Sequence, residues 1–113
     1  MVNSREFLAY VKNVFPYANV TLADPSFDNI SVFVNISDVG MAPASKFAMQ
    51  LARDLGFEGY KVIEKDKRVG MPYGLTGEWD YTVYTLQNEQ ESFVYIHGIG
   101  TSEQASLIVT LVE

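Results

Sequence analysis

The sequence contains no cysteine, which excludes disulfide bonds, thiolate nucleophiles and cysteine-ligated metals. It contains one histidine, His97, so any Ser-His-Asp triad or histidine-containing metal site would have to be built around this residue. No Gly-X-Ser-X-Gly motif points to a nucleophilic serine, and no metal-ligand spacing surrounds His97. We therefore expect a protein that binds no cofactor or metal and is not an enzyme.

Long hydrophobic runs are also missing. The apolar runs fall far short of the ~20 residues that cross a bilayer as a helix, so we expect no membrane contact. The opening residues, MVNSREFLAY, lack the basic start and apolar middle of a signal peptide. At 113 residues, 48% of them hydrophobic, the chain is expected to form one soluble, cytoplasmic domain over residues 1–113.

Basic residues are absent from the C-terminal part of the chain. Residues 69–113 contain no Lys or Arg and six acidic residues, which equals the net charge of −6 for the whole chain. Residues 61–68 contain four of the eight basic residues. The acidic excess indicates either a solubilising surface or a surface for a basic partner. It opposes binding to nucleic acid, because the acidic side chains would repel the phosphates.

Two stretches have the apolar spacing of amphipathic helices. Asn3 and Ser4 can cap a first helix through residue 15, and Pro16 ends it. The second helix lies within SDVGMAPASKFAMQLARDLGF, where Gly56 is predicted to take the left-handed conformation that ends a helix. Phe57 would then fold back onto the last turn. The predicted buried stripe of this helix comprises Phe47, Ala48, Leu51, Ala52 and Leu55.

The remaining stretches favour strands. ANVTLAD and NISVFVNI are rich in β-branched residues and predict a hairpin that pairs Val20 with Val32 and Leu22 with Ile30. GYKVIEK predicts a third strand. The tail SLIVTLVE is typical of a buried strand, although a capping-box pattern from Thr101 to Gln104 would also suit a helix.

EWDYTVYTLQ and ESFVYIHG predict a second hairpin, closed by a tight turn at residues 88–91. Its paired residue numbers then sum to 179. This register places Trp79, Tyr81, Val83, Val94 and Ile96 on one face of the sheet. It places Asp80, Thr82, Tyr84, Leu86, Phe93, Tyr95 and His97 on the other. The predicted fold is therefore α+β, in the order α-β-β-α-β-β-β-β, with a C-terminal antiparallel meander and two amphipathic helices packed on the sheet.

The segment KDKRVGMPYGLTGEW, residues 65–79, has the glycines and proline of a long loop, and such loops are often functional. It contains side chains that are enriched at protein interfaces, so we expect a partner-binding element there. Its candidate contact residues are Lys67, Arg68, Met71 and Tyr73. The alternative is that the apolar residues of the loop pack back onto the core.

The aromatic side of the second hairpin is the other candidate surface. An exposed aromatic patch usually contacts a partner, and two helices on one sheet face would leave this patch to another subunit. Its candidate contact residues are Tyr84, Phe93, Tyr95 and His97. Without such a contact, His97 would be an ordinary packed or solvated histidine.

These observations favour a non-enzymatic protein–protein interaction or assembly module, expected to form a homo-oligomer. The acidic C-terminal part suggests one special form, an acidic inhibitor of a basic or nucleic-acid-binding protein. The competing interpretation is a small-molecule-binding domain or minor enzyme, with a site between the 66–78 loop and His97.

Overall fold

The computed structural model describes residues 4–22, 30–37, 44–70, 79–100 and 104–112. They form two helices and six strands in the predicted order. The helices are α1 (Ser4–Val14) and α2 (Ala44–Phe57). The strands are β1 (Asn19–Leu22), β2 (Ile30–Ser37), β3 (Lys61–Gly70), β4 (Trp79–Gln87), β5 (Phe93–Gly100) and β6 (Gln104–Val112).

The six strands make one antiparallel sheet in the order β1-β2-β6-β5-β4-β3. Strand β6 therefore lies between β2 and β5, with a paired neighbour on both sides. β6 accordingly carries a continuous buried run from Leu107 to Leu111. The α+β class and the strand assignment of the tail are confirmed.

Both helices pack on the same face of the sheet, with α1 over β1 and β2 and α2 over β3 to β6. A row of opposed residues runs under them across four strands, from Val32 through Val109 and Ile96 to Tyr84. All four are buried in the single core cluster, together with Phe7 and its neighbours on α1. We call this side of the sheet the helix face and the opposite side the open face.

The left-handed residue that ends α2 lies three residues later than the sequence indicated. Gly59 (φ 91°) takes the left-handed conformation. The amide of Tyr60 then donates to the carbonyl of Leu55, and the amide of Gly59 to that of Gly56. These two bonds form a Schellman motif around Gly59. The prediction for Gly56 was wrong because the helix continues through it, and Phe57 is 90% exposed instead of folded back.

The start of α2 lies very close to β5. A Cβ atom at Gly100 would come within 3.1 Å of the Ala44 nitrogen, and one at Gly98 within 3.3 Å of the Ala44 oxygen. Glycine on the strand and alanine on the helix therefore allow the helix to approach the sheet. Apolar spacing alone does not predict this contact.

Both predicted hairpin registers need correction. In the first, Val20 pairs with Val34 and Leu22 with Val32, a shift of two residues that leaves the faces as predicted. In the second, the paired numbers sum to 180, as in Tyr84 with Ile96. That one-residue shift exchanges the two faces of β5 relative to β4.

The connection between β4 and β5 explains the second error. Asn88 and Ser92 still pair, because the Asn88 amide donates to the Ser92 carbonyl. The loop is therefore the three residues 89–91, closed by a bond from the Glu91 amide to the Asn88 carbonyl. Glu91 has φ 63°, as the last residue of such loops requires. The Asn88 side chain accepts from the amides of Gln90 and Ser92, which holds the turn.

The predicted loop beginning at Lys65 is also shorter than expected. Strand β3 extends to Gly70 and pairs with β4 along its whole length, so Lys67 and Arg68 lie on a strand. Residues 71–78, including Met71 and Tyr73, lie outside the described residues. Neither described helix is long and apolar enough to span a membrane.

Candidate functional site

The open face is the best candidate site, because no described helix covers it and it carries a group of aromatic rings. One row of opposed residues crosses five strands, from Phe33 through Ile108, His97 and Val83 to Asp66. A neighbouring row runs from Asn35 through Ser106, Ile99 and Tyr81 to Arg68. Aliphatic residues therefore alternate with rings and polar groups across this face.

The aliphatic members of these rows are buried even though they lie on the open face. Val83, Ile99 and Ile108 are each less than 10% exposed. In the pairing, Ile108 lies between Phe33 and His97, and rings of this size cover the smaller side chains beside them. The rings themselves are half-buried, so they form the accessible layer of the face.

Two ring pairs are stacked on β4 and β5. Phe93 and Tyr95, two residues apart on β5, lie with centroids 6.1 Å apart and planes at 16°. Tyr81 and His97, diagonal neighbours across β4 and β5, lie 6.0 Å apart at 26°. Such stacking limits the rotamers of the rings and makes this a preorganised surface.

An ion pair lies at the β3 end of the face. The Arg68 Nε donates to Asp66 Oδ2 at 3.0 Å, and both side chains are partly exposed. Asp66 raises the pKa of Arg68 further, so its charge is permanent. Burial, and secondarily the Arg68 charge, lower the pKa of His97 below its ordinary 6.5. His97 is therefore neutral at neutral pH and acts here as an aromatic, hydrogen-bonding ring.

The β1 end of the open face is polar. Ser31 and Thr110 share a hydroxyl hydrogen bond of 3.1 Å between β2 and β6. Asn35 lies opposite Asn19 and Ser106, and its Oδ1 atom is buried without a hydrogen-bond partner among the described residues. The face therefore changes from aromatic over β4 and β5 to largely polar over β1 and β2, where Phe33 is the aromatic residue.

The structure separates the predicted contact residues. Phe93, Tyr95 and His97 share the open face, as predicted, and Arg68 joins them at its β3 end. Tyr84 was predicted to share that face, but the corrected register places it on the helix face, where it is 4% exposed. Lys67 also lies on the helix side of β3, opposite Thr82.

Two aromatic residues of the open face were not predicted to be part of the site. Tyr81 was assigned to the opposite face through the register error, and Phe33 was not among the predicted contact residues. A three-residue loop that ends at Glu91 gives the register that places Tyr81 on the same face as His97.

The described residues contain no group of three His, Asp or Glu side chains that could hold a metal ion. No protein-family model matches the chain, and no curated protein sequence matches it at a significant level.

Proposed function

We propose that this chain is a non-enzymatic protein-binding module whose contact surface is the open face. The observation that carries the proposal is the position of α1 and α2 on one side of the sheet, which leaves the stacked aromatic rings of the other side accessible. Tyr, Phe and Arg are the residue types that anchor protein interfaces, and rigid rings lose little entropy on binding.

The charge of the chain favours a basic partner. Glu64 lies on the open side of β3, and Glu89 and Glu91 lie at the turn that leads into Phe93. With a net charge of −6, these carboxylates would attract a positively charged surface and orient it toward the rings. An acidic inhibitor of a basic or nucleic-acid-binding protein is the form of the module that fits this pattern.

The proposal is tested by quantitative pull-down from lysate of the source cells with paired bait proteins. Phe93→Gln with Tyr95→Gln removes two rings of the open face. Tyr17→Gln with Phe57→Gln removes two exposed aromatic residues that lie elsewhere. We expect the first pair to lose the captured basic protein and the second pair to retain it. Equal capture by both baits would contradict the proposal.

The electrostatic part has its own measurement on the purified pair. Glu89→Gln with Glu91→Gln changes only the hairpin turn, where both residues are exposed. We expect a lower association rate and a weaker salt dependence, because exposed charges act over a Debye length of ~8 Å at physiological salt. If the association rate depends neither on salt nor on the double substitution, the role of Glu89 and Glu91 is only to make the chain soluble.

Self-association through the same face is tested by light scattering over a wide concentration range. If the wild-type chain is a homo-oligomer and the double variant Phe93→Gln with Tyr95→Gln is a monomer, a second copy binds to the open face. If the chain is strictly monomeric, the expected homo-oligomer is rejected, and a different, basic protein remains as the proposed partner.

A small-molecule site is the second candidate, favoured by the convergence of Arg68, Tyr81 and His97 at one end of the face. It corresponds to the competing interpretation of a site between the 66–78 loop and His97, of which residues 71–78 lie outside the described residues. A ligand there would perturb the His97 ring resonances in a screen of small molecules, and Arg68→Gln would weaken the response. If no small molecule in the screen gives such a response, the small-molecule candidate is rejected and only the protein-binding proposal remains.

A further inference from the structure

The outer edge of β3 is the longest unpaired strand edge in the described part of the chain. β3 has ten residues and lies at one end of the sheet, whereas the opposite edge strand, β1, has four. An edge strand presents a row of backbone donors and acceptors to which another extended segment can pair. Val62, Ile63 and Val69 along this edge are 48%, 55% and 64% exposed.

The two sides of β3 differ in charge. On the open side, Asp66 and Arg68 neutralise each other through their ion pair. On the helix side, Lys65 and Lys67 lie opposite Tyr84 and Thr82. The Lys65 amine lies 5.4 Å from the centroid of the Tyr84 ring, and neither lysine pairs with a carboxylate within the described ranges. The helix side of the edge therefore carries two exposed positive charges at alternate positions.

These lysines disfavour a second copy of the chain as the occupant. A two-fold axis between antiparallel strands brings the same sides of both strands together. From Glu64 to Gly70 the helix side holds only Lys65, Lys67 and Val69, so registers centred near Lys65–Lys67 place lysine opposite lysine. Like charges directly opposite destabilise a strand pair.

The irregular part of β3 lies at its beginning. A bulge at Ile63 shifts the register between Val62 and Glu64, and bulges protect edges from pairing. From Glu64 to Gly70 the pairing with β4 is regular over seven residues. Only this segment presents an even edge to an incoming strand.

We propose that the Glu64–Gly70 edge of β3 binds an extended acidic segment of another protein as an added antiparallel strand. Main-chain hydrogen bonds supply the affinity, and the side-chain pattern supplies the specificity. The segment carries carboxylates at two alternate positions, opposite Lys65 and Lys67, and an apolar residue opposite Val69. This site is separate from the open face, so its failure would not affect the proposed function.

The test uses capped synthetic peptides of seven residues. The probe is Thr-Val-Thr-Glu-Thr-Glu-Thr, and its partner has lysine in place of both glutamates. Binding to the ¹⁵N-labelled full chain is followed through amide shifts and hydrogen exchange of residues 64–70. We expect saturable binding of the glutamate peptide, about 2- to 30-fold tighter than that of the lysine peptide, as two cross-strand charge pairs allow.

Two charge-reversed proteins with equal net charge identify the site. Lys65→Glu with Lys67→Glu should reverse the preference between the peptides. Lys12→Glu with Lys46→Glu changes two exposed helical lysines and should leave it unchanged. Lys67→Glu alone, which keeps Lys65 on the Tyr84 ring, covers the case in which the double variant unfolds, and should weaken binding of the glutamate peptide.

A glutamate peptide N-methylated at alternate residues loses backbone donors but keeps its charges. We expect it not to bind, because strand addition needs those donors. The proposal would be overturned by any of three results: no saturable binding of the glutamate peptide up to millimolar concentration, equal effects of the two double variants, or undiminished binding of the N-methylated peptide.

Discussion

The most informative single residue on the helix face is Tyr84. Its hydroxyl oxygen is buried and has no hydrogen-bond partner among the described residues, although the ring packs in the core and under the Lys65 amine. A buried polar atom without a partner costs about 1–3 kcal/mol of desolvation. The ring of Tyr84 therefore stabilises the fold, while its hydroxyl opposes folding.

Tyr84→Phe should consequently leave the free energy of unfolding unchanged or raise it by up to about 1 kcal/mol. Tyr10→Phe is the matched control, because the Tyr10 hydroxyl of α1 donates to Asp54 of α2. Its loss should cost about 1 kcal/mol or more, since the acceptor is charged. Urea denaturation of both variants checks the difference. A Tyr84→Phe variant as unstable as Tyr10→Phe would show that the Tyr84 hydroxyl is satisfied.

At the open face, His97 links pH to stability. Because its folded-state pKa is below the unfolded value of 6.5, the unfolded chain binds a proton first as the pH falls. The stability that neutral His97 contributes is full above pH 6.5 and is lost as the pH falls through the folded-state pKa. We expect unfolding free energies to decline as the pH falls below 6.5, at no more than ~1.4 kcal/mol per pH unit.

His97→Phe keeps a ring beside Tyr81 but cannot be protonated, so its stability should be flat over that range. Arg68→Gln should raise the pKa of His97, measured by proton NMR, because the Arg68 charge contributes to its lowering. A wild-type stability that does not change as the pH falls below 6.5 would contradict this linkage.

Among the elements, the β4–β5 turn determines which residues share a face. Glu91 has a positive φ (63°), which costs an ordinary residue about 1 kcal/mol and glycine almost nothing. Glu91→Gly and Glu89→Gly remove the same charge from the same turn, but Glu89 is not among the described residues with positive φ. Glu91→Gly should therefore be more stable than Glu89→Gly by roughly 1 kcal/mol in thermal unfolding. Equal stabilities would show that Glu91 is not strained.

For the whole molecule, periodicity and composition were sufficient to predict the element order. The apolar spacing of α1 and the β-branched runs of β2 and β6 correspond to buried faces. Because buried positions require apolar residues, such faces leave a regular pattern in the sequence. The registers were less predictable, because each depends on a loop conformation that one residue can change. Glu91 is a residue type that rarely takes positive φ, so the three-residue loop left no signal and Tyr84 was assigned to the wrong face.

The candidate site was predictable only in part, for a related reason. Phe93, Tyr95 and His97 alternate along one strand, so any register keeps them together. Tyr81 and Arg68 join them through strand pairing, which sequence spacing does not encode. The glycines after Val69 suggested a loop from Lys65 onward, whereas pairing with β4 extends β3 to Gly70. The edge that carries Lys65 and Lys67 therefore emerged only from the sheet topology.

The central position of β6 also has a consequence for synthesis on the ribosome. The α1–β1–β2 part and the β3–β4–β5 part are hydrogen-bonded to each other only through β6, among the strands described. Until β6 has left the exit tunnel, both β2 and β5 present unpaired inner edges and bare apolar surface, and such states aggregate. The nascent chain should therefore depend on chaperones until β6 has been made, and complete the sheet by strand insertion rather than by sequential addition.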